Sequence, residues 1–147
     1  MTLRAVSGRT TAESVDDIAR WLRDLTGCPP VNHTIAATCT RDRHDEPATW
    51  FYVEADRAEG VARLRCLGCG DARSLLDSAD RWTYPAVWCC PNCSQSIAEV
   101  AFGLHLENDD TATWAALGVR CVNCGDLSGV TDFVLPGMAV EEFAAAF

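Results

Sequence analysis

Three Cys-x-x-Cys pairs lie close together in one chain: Cys66 and Cys69 in RCLGCGD, Cys90 and Cys93 in CCPNCS, and Cys121 and Cys124 in RCVNCGD. Two cysteines flanking a tight turn supply half of a tetrahedral sulfur shell, so such pairs, taken two at a time, hold a metal ion, most often zinc. Any fold for this chain has to bring these turns together. The chain has nine cysteines, and six fall into these pairs. A disulfide framework does not require that spacing, whereas a zinc site does. The N-terminal stretch MTLRAVSGRTTAESVDD carries no continuous apolar core of a secretory signal, which places the protein in the cytoplasm, where thiols stay reduced.

At 147 residues the chain suits one domain or two very small ones, and its 48% hydrophobic content buries a modest core that bound metal supplements. The net charge is −9, from twelve basic against twenty-one acidic residues. Each four-thiolate site adds about two further negative charges when its ligands ionise. Nucleic acid is therefore a disfavoured partner, because modules that grip phosphate cluster their Lys and Arg and this sequence scatters them. A protein partner is expected instead. No stretch approaches the roughly 20 apolar residues of a membrane span.

Between Thr11 and Leu25, Val15, Ile18, Ala19, Leu22 and Leu25 recur at helical spacing, with Thr10, Thr11 or Ser14 as caps and Gly27, Pro29 and Pro30 as stops. Further on, Trp50 to Val53 and Val61 to Arg65 read as strands around a turn at Asp56 to Gly60, a hairpin running into Cys66. Ile97 to Leu106 and Trp114 to Arg120 form a second hairpin around Glu107 to Thr111, which runs into Cys121. The two arrivals repeat at an offset of 55: Arg65, Cys66, Cys69, Gly70, Asp71 and Asp77 match Arg120, Cys121, Cys124, Gly125, Asp126 and Asp132. Glycine after the second cysteine suits a turn that needs a positive φ. The closing MAVEEFAAAF, Met138 to Phe147, reads as a short helix with Phe143 and Phe147 packed on the body of the protein.

With Cys90-Pro-Asn-Cys93, a 27-residue hairpin segment (94–120) and Cys121-Val-Asn-Cys124-Gly125, residues 88–135 resemble the zinc-ribbon family. The resemblance implies two knuckles clamping one zinc at the base of a small antiparallel sheet, with Ser128 to Leu135 as its third strand. The hairpin and RCVNCG look most like the ribbons of transcription elongation factors and small RNA polymerase subunits. In the transcript-cleavage members an acidic pair sits at the hairpin tip, where Asp109 and Asp110 stand here. The expected pair there is Asp-Glu, and a solvated acidic turn is the preferred reading.

Two ligand partitions are open. Cys66 and Cys69 can share a metal with Cys90 and Cys93, or with residues upstream of their own hairpin. The repeat favours the second scheme, in which Cys90, Cys93, Cys121 and Cys124 form one site and Cys66 and Cys69 are completed by Cys39 and His44. Residues 40–65 separate Cys39 from Cys66, 26 positions against 27 in the other unit, and neutral imidazole is an acceptable zinc ligand. Cys28 and His33 are alternative ligands of lower rank, Cys89 is expected to be a buried spare thiol, and His105 an ordinary sheet residue. A thioredoxin-type dithiol is the rival reading, since Asp71 to Trp82 could form a helix after Cys66 and Cys69.

The expectation is an α+β protein: small, zinc-stabilised antiparallel β in two zinc-ribbon-like units, with helices on either side. An N-terminal amphipathic helix (1–30) precedes a degenerate ribbon-like unit (31–85), a zinc ribbon (86–136) and a C-terminal helix (137–147). Two zinc ions fill closed, structural sites. The protein is not an enzyme and acts as an adaptor or regulator that binds a protein, such as RNA polymerase or a regulatory protein. A nucleic-acid-binding ribbon and an enzyme of the transcript-cleavage or thiol-redox type are the alternatives.

Overall fold

The computed structural model describes residues 4–6, 9–25, 27–40 and 45–145. Most of the chain is antiparallel sheet, joined by two short helices. A hairpin of β1 (Arg4–Val6) and β2 (Arg9–Thr11) stands apart from the main sheet. The helix α1 (Val15–Arg23) follows, with Ser14 at its N-cap. Asp17 accepts the Glu13 and Ser14 N–H groups at 3.2 and 3.3 Å, satisfying donors that the first turn leaves open.

The main sheet contains β3 (His33–Ala36), β4 (Phe51–Asp56), β5 (Val61–Cys66), β6 (Ala72–Ser74), β7 (Ala98–Asn108), β8 (Thr111–Cys121) and β9 (Leu127–Ala139). Its order is β6-β5-β4-β7-β8-β9, with β3 also paired to β7. Each cysteine-bearing hairpin thus has a third strand, three residues long in the first case and thirteen in the second. The halves join through β3, which pairs with β7 from His33–Leu104 to Ala36–Ala101, and through Phe51 of β4 with Ala98 of β7, so the sheet continues across the 85/86 boundary. Beyond that pair Val87 takes the place beside β4, bridging to Glu54.

Alternation along the strands builds two layers. Val100, Phe102 and Leu104 from β7 and Ala115, Leu117 and Val119 from β8 face one way, meeting Phe51, Val53, Ala62 and Leu64 of the first hairpin in a shared core. The sheet curls to allow this, and Arg57 at the tip of β4 and β5 donates to the Gly129 and Val130 carbonyls of β9 at 3.0 and 3.4 Å. Those bonds occupy two carbonyls of β9, the last strand of the sheet, and Pro136 removes one of its N–H donors. On the opposite face, Ile18 and Leu22 of α1 cover Ala101, Trp114 and Ala116. The helix comes this close because Gly118 lies beneath it: a Cβ there would sit 3.1 Å from both Ile18 and Leu22.

Two readings change. Met138 and Ala139 belong to β9, and the last helix α2 covers only Val140–Ala145, because Gly137 turns with φ 79 and the chain is still paired to β8 through Ala139. Phe143 is buried, edge-on to Phe102 with ring centroids 5.2 Å apart, while Phe147 lies outside the described residues. Asp71 to Trp82 is not helical: it forms β6 and then turns, with Leu76 at φ 54, a conformation no α-helix contains. Finally, β1, β2 and β3 had no sequence signal, since three- and four-residue strands are too short to display a period.

Candidate metal centre

Each Cys-x-x-Cys pair closes the same turn. The N–H of the residue after the second cysteine donates to the carbonyl of the first: Gly70 to Cys66 at 2.9 Å, Ser94 to Cys90 at 2.9 Å and Gly125 to Cys121 at 2.8 Å. The N–H of the first cysteine donates in turn to the carbonyl of the next residue on, Cys66 to Asp71, Cys90 to Gln95 and Cys121 to Asp126. Gly70, Ser94 and Gly125 all have positive φ, at 77, 64 and 78. Glycine takes that region at no steric cost, and Ser94 takes it with a Cβ to accommodate.

Two of these knuckles face each other. Cys90 and Cys124 sulfurs lie 3.6 Å apart, Cys93 and Cys121 3.4 Å apart, and all four are within 4.8 Å of one another. A tetrahedron with metal–sulfur bonds of about 2.3 Å has edges of about 3.8 Å, so this spacing accommodates one ion. The third knuckle meets a strand-like segment instead: the Cys39 and Cys69 sulfurs are 3.8 Å apart, and Cys39, Cys66 and Cys69 form the second group. Cys39 is held by an antiparallel bridge to Ala48, donating to and accepting from it at 2.8 and 2.9 Å. His44 lies outside the described residues, in the segment that this bridge closes. Both groups can hold a metal ion.

Electrostatics in the four-cysteine group are uneven. Burial pushes the Cys121 thiol up to about 12 and raises Cys90 as well, since an unpaired thiolate there loses its water. Cys93 is lowered to about 6, first by the Asn123 side chain and then by the backbone N–H of Gln95. Buried thiols that resist ionisation and a partner already biased toward thiolate are what a dication would neutralise together, expelling the remaining protons. Asp126, itself buried, lies 3.9 Å from the Cys90 sulfur.

Other candidates lie elsewhere. Cys28 lines a cleft of about 330 Å³ between α1 and β9, His33 opens β3, and neither joins a cysteine group. Cys89 was expected to be buried and is exposed, its sulfur 3.4 Å from Ser96 Oγ: residues 88–90 form no strand, so no alternation turns it inward. His105 lies in β7 at a register shift, with Nδ1 2.8 Å from the Pro30 carbonyl. No disulfide joins any of the nine cysteines.

Two of the arginines are paired with carboxylates across strands and a third with a backbone carbonyl. Arg63 pairs with Glu54 at 2.7 Å, Arg120 with Glu99 at 2.7 Å, and Arg65 donates to the Gly70 carbonyl. Arg41 and Arg43 lie outside the described residues. Asp109 and Asp110 form a two-residue exposed turn between eleven-residue strands. Among the described residues no helix is long and apolar enough to cross a membrane. Comparison with protein-family models, with curated proteins and with solved structures finds no match.

Proposed function

We propose that this chain is a structural-zinc protein of zinc-ribbon type that works by binding another protein, as an adaptor or regulator of the transcription machinery. The opposed pair of knuckles around Cys90, Cys93, Cys121 and Cys124 carries the reading, because four converging sulfurs leave no position for water or substrate on a tetrahedral ion. Cys39, Cys66 and Cys69 hold a second zinc, with His44 as the fourth ligand. The bridge between Cys39 and Ala48 supports that choice, since it ties the ends of the segment containing His44 to the cysteine group. Zinc then does folding work, the surface does the biology, and no catalytic step is assigned to the metal.

The acidic net charge and the pairing of Arg63 and Arg120 with carboxylates support a protein partner over nucleic acid. The exposed Asp109 and Asp110 tip supports a partner such as RNA polymerase, offering acidic side chains on a long hairpin to a basic surface. Elemental analysis of the purified chain tests the metal reading, with two zinc ions per chain expected and a reproducible value of one removing the second site. Affinity capture from the native cell extract tests the partner: recovery of polymerase subunits or their regulators supports the reading, and recovery of nucleic acid alone overturns it.

A further inference from the structure

The two glycines that end knuckles have opposite surroundings. Gly70 is exposed, and a Cβ there would meet nothing within 4 Å. Gly125 is buried against the chain leading into α1, and a Cβ there would lie 2.4 Å from the Ala12 carbonyl oxygen. Ala12 N–H donates to the Gly125 carbonyl at 2.7 Å, and the Ala12 carbonyl accepts from Arg120 Nε at 3.0 Å. Arg120 also pairs with Glu99 and directly precedes Cys121. The segment entering α1 is thus gripped on both sides of one cysteine pair, by Arg120 before Cys121 and by Gly125 after Cys124.

We infer that this knuckle is a metal-dependent latch for the N-terminal arm, residues 12–25. The inference rests on the proposed occupancy of the four-cysteine site. With the ion bound, Cys121 and Cys124 hold the Gly125 carbonyl where Ala12 can reach it, and α1 lies over Ala101, Trp114 and Ala116. When the ion leaves, Gly125 is no longer held between two fixed sulfurs and β9, the Ala12 bond loses its fixed acceptor, and the apolar stripe under α1 opens. Binding linkage runs both ways: an arm that docks better on the loaded knuckle also raises the knuckle's affinity for its ion, and differences in affinity between variants of one site fall mostly on the release rate. The other knuckles carry no such load, since Gly70 and Ser94 are exposed.

The test reads zinc release from the full-length, zinc-loaded protein into a chromophoric chelator, with amide hydrogen exchange over residues 15–23 measured in parallel. Two variants attack the latch from separate ends: Gly125→Ala at the grip and Leu22→Ala at the helix. Each is expected to speed one of the two release phases about tenfold, within the usual range of coupling between sites, and to leave the other phase unchanged. Gly125→Ala should also raise exchange in α1. Phe143→Ala loosens the opposite face of the same sheet and serves as the comparison. No acceleration in Leu22→Ala, whatever Gly125→Ala does, or equal acceleration in Leu22→Ala and Phe143→Ala, overturns the latch while leaving the metal reading intact. Absence of zinc in the unmutated protein overturns both.

Discussion

The two cysteine-bearing halves use the same knuckle and finish it differently. In the second half, two knuckles oppose each other beneath a hairpin of eleven-residue strands, and a thirteen-residue third strand completes a three-stranded unit. In the first half, one knuckle faces Cys39, the hairpin strands have six residues, and the third strand has three. The second half contributes most of the shared core and carries α1 on its other face, whereas the first leans on it through Phe51, Val53 and Leu64. A repeated motif therefore conserves a local turn while leaving the source of its stability free to differ. One half combines opposed knuckles with most of the core, and the other borrows its core from its neighbour.

The largest expected contrast lies in the thiolates. Cys121→Ser should abolish cooperative melting of the second half, because it removes much of the roughly 10–16 kcal/mol of apparent metal-binding energy that folds such modules. Cys66→Ser should lose the other ion yet leave the amides of β7 and β8 protected from exchange, and Cys89→Ser should retain both ions and melt like the parent. If Cys121→Ser and Cys66→Ser melt alike, the halves are energetically equivalent and the comparison breaks.

Core truncation comes next. Phe102→Ala removes a fully buried ring at the centre of both halves and should cost about 3–5 kcal/mol, while Leu64→Ala, nearer the rim, should cost about 2 kcal/mol. Denaturant midpoints at constant m-value decide the order. A larger loss from Leu64→Ala would place the centre of stability in the first half.

The cross-strand pairs Arg120–Glu99 and Arg63–Glu54 share a distance of 2.7 Å but not a setting. Arg120 is 14% exposed and also donates to Ala12, so Arg120→Ala leaves Glu99 and a carbonyl without partners and should cost about 3 kcal/mol. Arg63 is 28% exposed and lies over the Trp82 ring at 4.5 Å, and Arg63→Ala should cost about 1 kcal/mol. Equal losses by thermal melting would show that the arm adds nothing to the Arg120 pair.

The smallest effect is on titration of the metal-free chain. With its pKa lowered to about 6, Cys93 is mostly thiolate at pH 7.5 and should be the first of the four to react with iodoacetamide, while Cys121, raised to about 12, should be the last. A lowered thiol pKa stabilises the fold fully above the ordinary value of 9.0, and that contribution fades as pH falls toward about 6. A raised one acts in the opposite sense, and its contribution is lost as pH climbs from 9.0 toward about 12. Peptide mapping after brief alkylation reads the order, and Cys121 reacting first would refute this account of the site. Added zinc should slow all four.

Much of the architecture was legible because it rests on local rules. Alternating apolar residues before Cys66 and Cys121 marked both hairpins to within a few residues, and the spacing of Ile18 and Leu22 marked α1. Positions decided by distant contacts were not legible. Cys89 faces solvent because its neighbours join no strand, whereas the grouping of Cys39 with Cys66 and Cys69 is the scheme that the repeat favours. The grip of Gly125 on Ala12 spans the whole chain and leaves no pattern in either segment.

The sequence by itself determined the chemistry of the turns: cysteine pairs with two residues between them, each followed by a residue that takes positive φ, close a knuckle at all three places in this chain, because the bonds that make it run between near neighbours. Tertiary structure alone decided which knuckle carries the N-terminal arm and which half supplies the core. Those outcomes depend on the pairing of β3 and β4 with β7 and on the curl that brings Arg57 to β9, contacts between residues far apart in the chain whose free energy exists only once both halves are in place.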